Sequence, residues 1–249
     1  MPRVIYLLVA LSAIASQPAL AAPVRVDFSG SVQTLSGEII QSAGEPIPIS
    51  EADAEAALGG SVQVGTPFSG FLVYDDSSIP TSSSPENAGS VPGSASASYY
   101  WQNPTQYFLA HGEIGSFVGD GNVSQGSWAN GQVYDNELYL NGAQPSSVYF
   151  TAGLSSTAAP PGGMGLTTVE FAASGASPGA PLHGTSLHSI PWNIESFPLS
   201  SAAFFFRNGD LGVQVEGAVT RLVPEPAPGG LAALAALALA LRRRRSEFR

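Results

Sequence analysis

The chain has 249 residues, no cysteine, nine Lys and Arg against 19 Asp and Glu, and a formal net charge of −10 at pH 7. So acidic a surface repels phosphate backbones and anionic headgroups, which excludes nucleic acid as a partner and favours neutral sugars, divalent cations or basic polymers. Without cysteine there are no disulfide staples and no thiolate metal sites, so burial alone has to hold any core.

Arg3 precedes an apolar stretch, Val4 to Ala15, and Ala19-Leu20-Ala21 forms a small-x-small cleavage site before Ala22. That layout predicts a secretory signal peptide over residues 1–21, removed on export. The body that follows, residues 22–222, is long enough to bury one core. Between Ala22 and Glu225 the only basic residues are Arg25, Arg207 and Arg221, and the net charge there is −15.

Strand patterns dominate this body. Val24, Val26, Phe28 and Val32 alternate with polar residues at a period of two. One short helix is expected over Glu51 to Leu58, with Ser50 as its cap, Asp53 three residues on, and Gly59-Gly60 as its stop. Strands are predicted at Ser69–Tyr74, Gln106–Val118, Gln132–Leu140 (followed by an Asn141-Gly142 turn), Ser147–Leu154 and Leu166–Ala172. The strongest hairpin signal is Asn208-Gly209, flanked by Ala202–Arg207 and Asp210–Leu222. Ser-, Pro- and Gly-rich stretches at Asp76–Ser98, Ala158–Gly165 and Ser174–Gly184 read as surface loops. Asp27–Val32 and Gln214–Thr220 share an apolar-x-Gly-x-Val pattern, so the first and last strands are expected to pair or lie close together. The expected fold is all-β: a single antiparallel β-sandwich or barrel-like domain with Ser/Gly/Pro-rich loops.

Chemistry is sparse in this body. Gly175–Gly179 matches G-x-S-x-G but sits in a Pro/Gly/Ala context with no helix behind it, so it is not a nucleophile elbow. His111, His183 and His188 are too scattered for a zinc site, and no metal site is assigned. Asp75-Asp76 and Gly119–Asn122 offer oxygen ligands that would suit Ca2+, at far lower density than an EF-hand loop, and ordinary Asx turns explain them as well. A glycosidase needs two convergent carboxylates; Glu113, Glu137, Glu170 and Glu195 lie on or beside predicted strands. Tyr99, Tyr100 and Trp101, with Tyr107, Trp128, Tyr134 and Tyr139 downstream, suggest a surface for stacking sugar rings, and core packing explains the same residues. Trp192 and Phe204–Phe206 read as core.

The last 27 residues carry the most specific pattern. Val223-Pro224-Glu225-Pro226 is followed by an apolar run from Gly229 to Leu241 and by Arg242, Arg243, Arg244 and Arg245. The prolines are expected to keep the motif extended and open to a processing enzyme. The apolar run has 13 residues, about 20 Å as a helix at roughly 1.5 Å per residue, against a hydrocarbon core of about 30 Å. The arginines would hold their end on the cytoplasmic side and set topology. In this order and spacing the tail, residues 223–249, resembles the PEP-CTERM sorting segment of exported bacterial proteins. Val64–Asp75 also resembles an early strand of many PEP-CTERM bodies, more loosely.

The resemblance implies recognition of Pro224, Glu225 and Pro226 by a membrane exosortase, transient tethering to the inner membrane through 229–241, and release or attachment to surface material, often in an exopolysaccharide context. The expectation is therefore an exported, non-enzymatic cell-surface or matrix-associated protein with no cofactor. The alternatives are a carbohydrate-binding module using Tyr99–Trp101, and a secreted glycoside hydrolase.

Overall fold

A computed structural model describes residues 23–41, 44–84, 95–102, 106–135, 138–139, 142–143, 145–156, 163–178, 182 and 184–225. The expected signal peptide, Pro226, the 229–241 run and Arg242–Arg245 lie outside them. Among the described residues no helix is long and apolar enough to cross a membrane.

In chain order the strands are β1 (Pro23–Ile39), β2 (Ile47–Ile49), β3 (Pro67–Asp75), β4 (Ser82–Ser84), β5 (Ala95–Trp101), β6 (Phe108–Ile114), β7 (Phe117–Asn122), β8 (Ala129–Asp135), β9 (Leu138–Tyr139), β10 (Gly142–Ala143), β11 (Pro145–Gly153), β12 (Ser155–Ser156), β13 (Gly165–Pro178), β14 (Ser201–Asn208) and β15 (Leu211–Glu225). The helix α1 spans Glu51–Ala57. One 13-stranded sheet runs β12-β7-β6-β3-β1-β15-β14-β13-β11-β8-β5-β4, with β2 added to β1. Its pairings are antiparallel, and it curls into a half-barrel. A small second ladder pairs β9 with β10.

The curl brings apolar side chains of distant strands together inside it. Phe28 of β1 meets Phe171 of β13 at 5.1 Å, Phe68 of β3 meets Phe204 of β14 at 5.3 Å, and Phe117 of β7 meets Phe206 at 4.8 Å. Each aromatic pair adds about 0.5–1.5 kcal/mol beyond its buried area. The segment 184–200 adds Leu187, Ile190, Trp192 and Phe197 to the same core, all buried. Trp192 Nε1 donates to the buried Tyr74 hydroxyl at 2.7 Å, so neither polar tip is left unpaired in the core. Burial pushes the Tyr74 hydroxyl pKa far up, so that group stays neutral.

The first and last strands pair as expected, Val32 opposite Gly217 and Gly30 opposite Val219. Their glycines are there for space. A Cβ on Gly30 would stand 1.9 Å from the Ala218 carbonyl oxygen and 2.7 Å from Phe68 Cζ; on Gly217 it would meet Phe68 Cε1 at 2.4 Å. The Phe68 ring thus rests on both glycines. Register breaks between Ser29/Gly30 and between Val32/Thr34 interrupt the simple alternation, so Leu35 rather than Thr34 turns inward.

The helix forms as expected, with the Ser50 hydroxyl accepting from the Asp53 amide at 3.2 Å and donating to its carboxylate at 2.6 Å. Its stop uses Gly59 and Gly60 at φ 65° and 67°.

Several predicted boundaries move. Asn208 pairs with Leu211, so the tight turn is Gly209-Asp210, one residue later than expected. Gln106–Val118 is two strands folded back at Gly115-Ser116, with Gly115 at φ 57°. Tyr139 pairs with Gly142, which places Gly142 in a strand rather than a turn. The loop expected at Ser174 begins as the end of β13, and part of the Asp76–Ser98 stretch forms β4 and the start of β5.

Candidate functional site

Period-two alternation splits the predicted aromatic cluster. In β5, Tyr99 and Trp101 face the core at 3% and 1% exposure, while Tyr100 points out at 41%. Trp101 packs on Phe108 at 4.8 Å and donates Nε1 to the Ser78 hydroxyl at 3.1 Å; the Tyr99 hydroxyl donates to the Thr185 carbonyl at 2.8 Å. Tyr99, Tyr100 and Trp101 therefore do not form one sugar-stacking surface. Adjacent residues of a strand cannot share a face.

A different surface concentrates exposed aromatic and polar groups. The outer face of β13, β14 and β15 floors an open groove of about 950 Å³. Trp128 lines it on one side, and Glu38, Glu45, Pro46 and Pro48 of the β1–β2 arm on the other. Register builds the floor in two rows. Thr168 lies opposite Phe205, Phe205 opposite Gln214 and Gln214 opposite Ser36. In the next row Thr151 lies opposite Glu170, Glu170 opposite Ala203 and Ala203 opposite Glu216. Glu170 and Glu216 are thus two strands apart, about 9–10 Å between Cα atoms at the usual interstrand spacing, with only a methyl group between them. Gln214 donates to Glu216. Glu170 has no hydrogen-bond or ionic partner among the described residues. It reaches solvent, yet the surrounding floor removes part of its hydration; this, followed by the Glu216 charge, pushes its pKa up.

Trp128 is 38% exposed and has a built seat. Its carbonyl accepts from the Gly153 amide at 2.9 Å, and its ring covers Gly153 so closely that a Cβ there would fall 2.9 Å from Nε1. Past Glu170 the same face continues as a smaller trough to Tyr149, exposed and edge-on to Tyr134 at 5.8 Å.

The opposite flank, over β1, β3, β6 and β7, is arranged otherwise. Asp27, Phe71, His111 and Asp120 form one register row. Arg25 donates to both Asp27 carboxylate oxygens and lies 4.0 Å above the Phe71 ring; His111 stacks on Phe71 at 5.1 Å, and its Nδ1 is 2.7 Å from Asp120.

The other candidates disperse. Asp120 and Asp76 are bonded to His111 and His188, and Asp75 closes an Asx turn to the Ser77 amide at 2.9 Å. Among the described residues no group of three or more His, Cys, Asp or Glu converges. Gly175–Pro178 lies in β13, so Ser177 is not on a strand-to-helix elbow. Glu113 and Glu170 lie on strands far apart in the sheet, Glu195 lies in a turn, and Glu137 is outside the described residues. Glu216, which the sequence reading did not single out, is the carboxylate that the register brings towards Glu170.

Pro224 and Glu225 close β15, opposite Val26 and Arg25 of β1. They are extended as expected, but laddered onto β1 rather than open; each lies at the strand's terminus, where a lost ladder bond is tolerated. Searches against protein-family models, curated proteins and solved structures found no match to this chain.

Proposed function

We propose that the chain is an exported cell-surface or extracellular-matrix-associated structural and interaction protein, processed at Pro224-Glu225-Pro226 by an exosortase-like enzyme. In this reading residues 1–21 direct export, Gly229–Leu241 holds a precursor in the inner membrane, and Arg242–Arg245 fix its orientation. The half-barrel, read as one barrel-like domain, is what remains at the surface or in the medium. No reaction is assigned to it.

The observation that carries this reading is where the folded unit ends. The compact unit spans Pro23–Pro226, so its limits fall within two residues of the expected signal cleavage and on the sorting motif itself. Because Arg25 pairs with Glu225, the start of β1 and the end of β15 lie side by side. Signal cleavage before Ala22 leaves β1 whole, and a cut on the C-terminal side of Glu225 leaves β15 whole.

The test is replacement of Pro224, Glu225 and Pro226 by alanine in the native host. The expected outcome is retention of the full-length protein in the inner membrane, with the parent recovered from the envelope surface or the medium. Equal distribution of the two would sink the sorting role.

A further inference from the structure

We infer that the groove over β13, β14 and β15 is a binding site for a neutral polysaccharide chain, with Trp128 as its stacking platform and Glu170 as its main hydrogen-bond acceptor. The inference rests on the reading of the body as an interaction module, and replaces the Tyr99–Trp101 cluster with a surface that is open.

Three observations carry it. First, Trp128 is held, not merely exposed. Gly153 supports the indole, so the ring presents a fixed apolar plane, which is what the apolar face of a pyranose packs against. Fixing the ring in the free protein reduces the ordering cost on binding. Second, hydrogen-bonding groups stand beside that plane without internal partners: Thr151, Thr168 and Glu170 bond no other side chain among the described residues. Hydroxyl-rich ligands need such donors and acceptors, and a carboxylate takes two sugar hydroxyls at once. Third, the charge balance selects among polymers. The span from Ala22 to Glu225, of net charge −15, repels polyanions. Glu38, Glu45 and Glu170 outnumber Arg207 in the groove, so it too disfavours a polyanion, and the aromatic plane beside the uncharged Thr151 and Thr168 favours a neutral chain over a basic one.

The shape agrees with a chain rather than a single sugar. The face continues past Glu170 to Tyr149, and Tyr149 lies four residues from Gly153 along β11, about 13 Å at roughly 3.3 Å per residue. An aromatic at each end, with Thr151 and Glu170 between them, would contact several consecutive rings. The groove volume is within the usual range for ligand sites, about 300–1,000 Å³.

The full-length protein in mild detergent should be titrated calorimetrically with neutral hexasaccharides of glucan, mannan, galactan and xylan type, with chitosan and polygalacturonate as charged controls. The expected result is binding of at least one neutral hexasaccharide, unchanged by added salt. Trp128→Ala should weaken it on the order of tenfold or more, with the circular dichroism spectrum and melting profile preserved. Gly153→Ala, which must displace the indole, should weaken it in the same direction. Binding of none of the neutral probes, or binding indifferent to Trp128→Ala, overturns the proposal; so does salt-sensitive binding of chitosan alone. Failure here leaves the sorting reading intact, since that is read from where the processed chain is found.

Discussion

Over β1, β3, β6 and β7, Arg25 is bonded to Asp27 and lies on Phe71, while His111 stacks on the same ring and is bonded to Asp120. Over β13, β14 and β15, Glu170 shares its face with another carboxylate, Glu216, and Trp128 is packed on Gly153 and partly exposed. The two faces draw on the same residue types. On the first, charges and rings satisfy one another, so they contribute to folding and offer little to a ligand. On the second they conflict or stay open, which costs some stability and leaves hydrogen-bonding capacity to spare. Opposed in this way, the faces show why exposed aromatic and acidic residues cannot be ranked as site candidates by type alone. Their partners decide.

The largest effect should come from a change that breaks both faces together. Gly217→Val puts a branched side chain where even a Cβ would meet Ser31 O and Phe68 Cε1, each at 2.4 Å. We expect a loss on the order of 3 kcal/mol or more, read as a fall in the urea midpoint, and a melting profile unchanged from the parent would contradict the packing described. Next, Phe71→Ala takes the shared ring from beneath Arg25 and His111. It should cost about 2 kcal/mol on the self-satisfied face and leave any groove ligand's affinity unchanged; a loss of affinity without a loss of stability would invert the comparison. Asp27→Ala should cost no more than about 1 kcal/mol, because the pair with Arg25 is partly exposed. That difference should shrink as salt is added.

The smallest effect has the opposite sign. Glu170 has a raised pKa in the folded protein, so the native state binds its proton more tightly than the unfolded chain does. Stability therefore falls as pH rises from the unfolded carboxyl value through the folded one, and stays at the lower level above it. Glu170→Gln removes that penalty. It should stabilise by less than about 1 kcal/mol at neutral pH, and the gain should vanish at about pH 3, where both forms are neutral. Urea titrations at the two pH values check this; a destabilised variant at neutral pH would mean that Glu170 has a stabilising partner.

Local chemistry was legible in the sequence, and of the long-range placement only the pairing of the first and last strands was. The Ser50–Asp53 cap, the Gly59-Gly60 stop and the final hairpin depend on a few neighbouring residues, and each was found, the hairpin one residue out of register. The pairing of β1 with β15 was readable because Gly30 and Gly217 carry a matched pattern. Alternation alone separates Tyr100 from Tyr99 and Trp101, so three aromatics in a row on a strand do not by themselves make one surface. Glu170 and Glu216 are a different matter. They approach only through the register of β13 on β14 and of β14 on β15, and neither strand's sequence encodes that offset by itself. The seat of Trp128 on Gly153 is equally non-local, since it depends on where β11 ends. The Gly115-Ser116 turn was missed because one glycine inside an apolar run does not distinguish a bend from a strand.

The most direct test of the account is the intact mass of the protein purified from its own host, fractionated into inner membrane, envelope surface and medium. The account predicts a species beginning near Ala22 and ending near Pro224–Pro226, at the surface or in the medium, with the half-barrel complete. A chain ending at Arg249 and found only in the inner membrane would contradict it, and would make 229–241 a permanent anchor.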